Sequence, residues 1–128
     1  MNILLDTHVA LWVITDDPKL SQANKDILLS PRNIIWVSVV SLWEIAIKHH
    51  KHQAVMPLSG KEALQYFTDS QMNILSVEPE HIMTLEELAD HHADPFDRLL
   101  VAQALSEPMR LMTHDKAIAQ YSDTVISI

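Results

Sequence analysis

The sequence predicts an α/β fold built on a mainly parallel central sheet. Three observations carry that expectation. Short apolar runs recur at Asn2–Leu5, Ile34–Val37, Ile74–Val77, Arg110–Met112 and Thr124–Ile128, each too short to be a helix. Stretches with helical spacing of apolar residues lie between them. Polar or proline-bearing breaks separate the two kinds of segment.

Taken in order, Asn2–Leu5 reads as a buried strand that ends at Asp6, and His8–Ile14 reads as a helix. Asp16-Asp17-Pro18 breaks the pattern. Ser21 is placed to cap a helix through about Leu29, which Ser30-Pro31 closes. Ile34–Val37 is β-branched and aromatic, as a second buried strand would be. Ser38–His52 returns to helical spacing, with Leu42, Ile45 and Ala46 among its apolar residues. Pro57, Ser59 and Gly60, the single glycine, mark a loop. Lys61–Ser70 reads as a helix, Ile74–Val77 as a strand and Glu80–Ala89 as a helix. After the polar break His91–Asp94, Pro95 suits a first helical turn and Phe96–Leu105 continues it. Arg110–Met112 is a short strand, Asp115–Gln120 a short helix and Thr124–Ile128 a last strand. No internal repeat or low-complexity segment interrupts the series.

The 128 residues fit one domain, 1–128, better than two. A chain of this length buries roughly two thirds of the surface it exposes when unfolded, enough for a core without staples. The absence of cysteine excludes disulfides and thiolate metal ligands, and it suits a reducing cytoplasm. The start, MNILLDTH, has no basic segment of the kind a signal peptide carries. No apolar run approaches the ~18 residues of a membrane span, so the expectation is a soluble, cytoplasmic protein. The net charge of −8 falls unevenly. Residues 1–64 hold six basic and six acidic side chains, while residues 65–128 hold three and eleven. That balance argues against a broad basic face for nucleic acid. It leaves room for carboxylates that hold metal, because bound cations reverse the local charge.

Four acids stand out. Asp6 ends an apolar strand, where a carboxylate is either a helix N-cap or a ligand on a rigid element. Glu44 sits in the otherwise apolar Val39–Ala46. A glutamate there is rarely buried unless it is paired or binds metal; the alternative is an exposed face with Lys48 at i+4. In Asp94-Pro95-Phe96-Asp97-Arg98, Asp94 suits an N-cap and Asp97 the third helical position, where negative charge meets the helix dipole. Arg98 is free to pair with an acid or contact phosphate. Thr113-His114-Asp115 follows a strand, and Thr113 is placed to cap a helix or orient Asp115. In open parallel sheets ligands bind beyond the carboxyl ends of the strands, so Asp6 and Asp115 should share one edge. Acids drawn together there would repel without a hard divalent cation such as Mg²⁺ or Mn²⁺.

Four ordered segments resemble the PIN domain: Asn2–His8, Ser41–Ala46, Asp94–Ala104 and Leu111–Asp115. More narrowly they resemble VapC-type toxins of bacterial toxin–antitoxin pairs. The resemblance covers essentially the whole chain. It implies a three-layer α/β/α arrangement with an acidic pocket at one sheet edge and Mg²⁺- or Mn²⁺-dependent cleavage of RNA. It places Asp6, Glu44, Asp97 and Asp115 at the family's catalytic, metal-holding positions, with Thr7 and Thr113 supporting them. Asp94 matches an acid of the closer subgroup, as a cap or outer group. The resemblance also implies a homodimer and a cognate antitoxin that blocks the pocket. One departure is the glycine-free Lys48–Gln53, where the family leads into a helical clip near the substrate.

In the mechanism expected from that resemblance, a metal held by Asp6 and Asp97, with Glu44 and Asp115 as direct or water-mediated ligands, activates water for attack on a phosphodiester. Lys48, Lys51 and Arg98 are the candidate RNA contacts, the alternative for the Lys48–His52 cluster being to complement the helix dipole. The pair His91-His92 lacks a third ligand for zinc. Rival classes fit less well. A haloacid-dehalogenase-like phosphohydrolase needs a second Asp two positions after the first, where this chain has His8. A phosphoacceptor receiver domain needs an N-terminal acidic pair that is not evident. An inactive PIN-fold binding module is disfavoured by the intact acid set.

Overall fold

The computed structural model describes Met1–Ile128. In chain order the elements are β1 (Asn2–Leu5), α1 (Thr7–Ile14), α2 (Gln22–Leu29), β2 (Ile34–Ser38), α3 (Val39–Lys51), α4 (Gly60–Asp69), β3 (Asn73–Leu75), α5 (Pro79–Glu86), α6 (Pro95–Ser106), β4 (Arg110–Thr113), α7 (Lys116–Ala119) and β5 (Ile126–Ser127). The five strands form one sheet in the order β3-β2-β1-β4-β5, and every pairing is parallel. The expected α/β class and central parallel sheet are therefore observed.

Side chains alternate across a strand, and the two faces of this sheet each acquire a core. Ile3, Leu5, Val37 and Met112 meet Val9 and Ala10 of α1, Ile45 of α3 and Phe67 of α4 on one face. Leu4, Leu75 and Leu111 meet Leu100, Val101 and Ala104 of α6 and Ile118 of α7 on the other. The result is three layers. The central strands β1 and β4 are adjacent, yet the chain visits β2 and β3 between them, on the far side of β1. The crevice beyond the carboxyl ends of β1 and β4 is thus the point where strand order reverses, the place such sheets offer to ligands.

Most expected elements appear within a residue or two. The differences have local causes. β3 stops at Leu75 rather than Val77 because Ser76 is drawn to α6, where its carbonyl accepts from Gln103 Nε2 at 3.3 Å. Gly60 is not in a loop. It is the first residue of α4, whose N-cap Ser59 and third residue Glu62 form a reciprocal capping box. A Cβ on Gly60 would lie 3.2 Å from Ala46 Cβ, so the missing side chain lets α4 approach α3.

A polar network crosses the second core. Ser38 Oγ donates to Gln103 Oε1 at 2.6 Å, and Gln103 adjoins His81. His81 is fully buried; its Nδ1 accepts the Glu78 N–H, so its Nε2 hydrogen is directed at Glu107, 2.5 Å away. No buried polar side-chain atom is left without a partner, which is what a stable interior requires.

Candidate active site

Asp6 follows β1 directly, and its main-chain N–H bonds the carbonyl of Met112 in β4, which fixes it at the crevice. One carboxylate oxygen caps α1 by accepting the Val9 N–H at 2.8 Å. The other accepts from the Thr113 hydroxyl. Thr113 ends β4 and also accepts the Asp115 N–H at 3.0 Å. One hydroxyl thereby ties the acid after β1 to the acid after β4. Asp115 repeats the division of labour: Oδ1 caps α7 through the Ala117 N–H, and Oδ2 faces His92 Nε2 at 2.8 Å. A carboxylate has two oxygens, so capping a helix does not exclude a site role for Asp6 and Asp115.

Asp97 enters from the first turn of α6. Asp94 caps that helix by accepting the N–H groups of Phe96 and Asp97 at 2.8 and 3.1 Å. Pro95 occupies the first turn at no hydrogen-bond cost. Asp6, Asp97 and Asp115 line one open pocket of about 330 Å³, whose remaining wall is His8, Trp12 and His114.

Glu44 does not line that pocket, but its charge is felt at Asp97. It is 4% exposed. Thr7 Oγ1 donates to Glu44 Oε1 at 2.8 Å and lies 2.9 Å from Ser41 Oγ. Lys48 Nζ sits 2.6 Å from Glu44 Oε2. Glu44 is buried, so the exposed-face alternative fails, although the pairing with Lys48 one turn on that it included is present. Lys48 is consequently committed to an internal bond. Arg98 is committed too; its Nη1 donates to the carbonyl of Ala89 and to Tyr121 Oη, at 3.0 and 3.1 Å, and lies 3.5 Å from Asp90. Of the three candidate RNA contacts, only Lys51 remains exposed.

His92 is the residue that spacing alone did not place in the site. Its Nε2 lies 2.8 Å from Asp115 Oδ2 and 3.3 Å from Asp97 Oδ2. One ligand-capable atom from each of the three residues falls within a 4.8 Å cluster. The ring's other nitrogen decides its part. Nδ1 accepts the Asp94 N–H at 3.0 Å, so the hydrogen of a neutral ring resides on Nε2. A metal-bound histidine instead donates from its second nitrogen. His92 in this arrangement is a donor that holds two carboxylates, not a metal ligand.

The electrostatics record the crowding. Burial pushes the Asp97 carboxyl up to about 7, with the charges of Asp94, Glu44 and Asp6 acting the same way and His92 against them. Burial also raises Asp6, outweighing the hydrogen bonds from Thr113 and Val9. Partial burial of Asp115 is overcome by its bonds to His92 and the Ala117 N–H, which hold it below the usual carboxylate range. His92 is raised: slight burial opposes its proton, but Asp115, Asp97 and Asp94 favour it. Asp6 and Asp97 resist ionising while Asp115 does not, and the ligand atoms that lie within 4.8 Å of one another belong to His92, Asp97 and Asp115, without Asp6 or Glu44. A hard divalent cation among the carboxylates would relieve their repulsion.

The PIN domain family model matches residues 3–123. Ribonuclease VapC22 of Mycobacterium tuberculosis is 25% identical over 120 residues, spanning 93% of this chain and 91% of the relative. Among solved structures, VapBC2 from Rickettsia felis bound to a promoter DNA fragment aligns with a TM-score of 0.73 at 20% identity, over 100% of this chain and 98% of that one. VapBC-1 from nontypeable Haemophilus influenzae aligns with a TM-score of 0.69 at 16% identity, over 100% and 97%. FitAcB from Neisseria gonorrhoeae gives 0.66 at 15%, over 98% and 96%.

Proposed function

This chain belongs to the PIN domain family, and we propose that it is a divalent-metal-dependent endoribonuclease acting as the toxin of a toxin–antitoxin pair. The observation that carries the proposal is the convergence of Asp6, Asp97 and Asp115 on one pocket at the strand-order reversal, with Asp97 raised to about 7. Family membership takes the place of the haloacid-dehalogenase and receiver alternatives. The ribonuclease relative supports the substrate class, and the toxin–antitoxin complexes among the structural neighbours support an antitoxin partner, which in this reading blocks the pocket. In the same reading the chain is one nuclease domain, works as a homodimer and acts in the cytoplasm.

Asp6, Asp97 and Asp115 would hold Mg²⁺ or Mn²⁺, with Glu44 in direct or water-mediated support. When bound, the ion supplies a Lewis acid that lowers the pKa of water and stabilises charge on the phosphodiester. The chain's own groups do the rest. Thr113 orients Asp6 and, through the Asp115 N–H, the turn that carries Asp115. Thr7 and Lys48 fix Glu44. The His92 N–H steadies Asp115 against Asp97. Asp94 holds the first turn of α6 and raises Asp97 by its charge.

The test is cleavage of RNA by the purified chain in Mn²⁺, in EDTA and as Asp6→Asn. Cleavage is expected in Mn²⁺ alone and only with Asp6 intact. Metal-independent cleavage that survives Asp6→Asn would sink the proposal.

A further inference from the structure

We propose that Trp12 is a stacking platform for one unpaired base of single-stranded RNA, next to the scissile phosphate. The proposal rests on the ribonuclease reading and names how that site grips its substrate. The pocket has two unlike walls. One is Asp6, Asp97 and Asp115; the other is Trp12 with His8 and His114. A phosphate at the carboxylate wall would place a neighbouring base against the aromatic wall.

Trp12 is more than its packing needs. The fully buried side chains of α1 are Val9 and Ala10, while Trp12 is half-buried and only borders that core. Lys19 Nζ lies over one face of the indole, 5.7 Å from its ring centroid, and His114 contacts it at 5.6 Å with the ring planes 62° apart, so a base would take the part of the ring that lines the pocket. His114 is itself fixed, since its Nδ1 donates to the main-chain oxygen of Ile128 at 2.6 Å. In the neutral ring its Nε2 is then an acceptor, suited to a base's exocyclic amine.

Charge supplies the second argument. With a net charge of −8, and with Lys48 and Arg98 spent on internal bonds, the chain offers few free cations for a phosphate track. Stacking is the contact that does not need one. It is sequence-tolerant and requires a base that is not paired, which selects single strands.

The experiment compares wild type, Trp12→Phe and Trp12→Leu on a short single-stranded RNA in Mn²⁺, reading KM and kcat separately. Mn²⁺ affinity and melting temperature are measured alongside. Trp12→Leu is expected to raise KM about tenfold or more with kcat and Mn²⁺ affinity retained, while Trp12→Phe keeps most of the wild-type KM. A substrate abasic beside the mapped cleavage site should raise KM for wild type and add little for Trp12→Leu. An unchanged KM in Trp12→Leu, or a full abasic penalty in that variant, overturns the stacking role. So does a Trp12→Leu variant that loses only inhibition by a protein partner. Failure of the wild type to cleave any RNA in Mn²⁺ is a different result, and it removes the ribonuclease reading itself.

Discussion

Thr113 is the side chain with the most leverage on the site, because one hydroxyl serves acids 109 positions apart at their strand ends, Asp6 and Asp115. Thr113→Val is expected to weaken Mn²⁺ binding about tenfold or more, the usual scale for groups that orient metal ligands. Calorimetry would read it, and Thr113→Ser should restore most of the affinity. The acids differ in how much of this was legible from the sequence. Asp6 and Asp115 could be placed at one sheet edge because each follows an apolar strand closely, although capping accounted for each at least as well from the sequence. Glu44 was legible as either buried or on an exposed face with Lys48, and the structure decides for burial beside the Thr7 hydroxyl. His92 was legible only as half of a histidine pair with no third ligand: it meets Asp115 across 23 residues, through a break with no periodicity. Only tertiary structure makes that contact, and only the Asp94 N–H tells which nitrogen carries the hydrogen.

The first turn of α6 couples a helix's stability to the site's charge. Asp94 caps the helix with its carboxylate and raises Asp97 with the same charge. Two substitutions separate the effects. Asp94→Asn keeps a capping oxygen and removes the charge. It should leave the melting temperature nearly unchanged and move the pH dependence of Mn²⁺ binding to lower pH. Asp94→Ala loses the cap as well and should cost about 1 kcal/mol of stability, measured by urea unfolding. Equal losses in the two variants would show that the charge, not the cap, sets stability there. The α5–α6 contact makes a separate prediction. His81→Ala removes a fully buried ring that accepts the Glu78 N–H and bonds Glu107. A cost of about 2–4 kcal/mol is expected, with hydrogen exchange rising first in α5. The helix itself was legible from Glu80 onward. The network was not, because Ser38, Gln103 and His81 look like ordinary surface residues until three elements bring them together.

At the scale of the whole molecule, the site strains the metal-free fold in a pH-dependent way. Asp97 titrates at about 7 when folded and at about 3.9 when unfolded. A raised carboxyl penalises folding once the unfolded chain ionises, so stability falls as pH rises from about 4 to about 7. Asp6 and His92 are shifted upward too and act in the same direction. The melting temperature of the metal-free protein should therefore drop between pH 5 and pH 7. Mn²⁺ should recover more of it at pH 7.5 than at pH 5.5, because below about 7 the ion must displace a proton from Asp97. A melting temperature that rises steadily over that range without metal would contradict the assignment. The sheet order explains why these groups meet at all: β1 and β4 are neighbours, and the acids that follow them face the same crevice. The decisive measurement is a calorimetric titration of Mn²⁺ into the wild type and Asp97→Asn at pH 7.5. The account predicts saturable binding that EDTA reverses, weakened at least tenfold by the substitution. A wild type that binds no Mn²⁺, or an Asp97→Asn variant that binds it as tightly, would contradict the claim that these carboxylates converge to hold a metal.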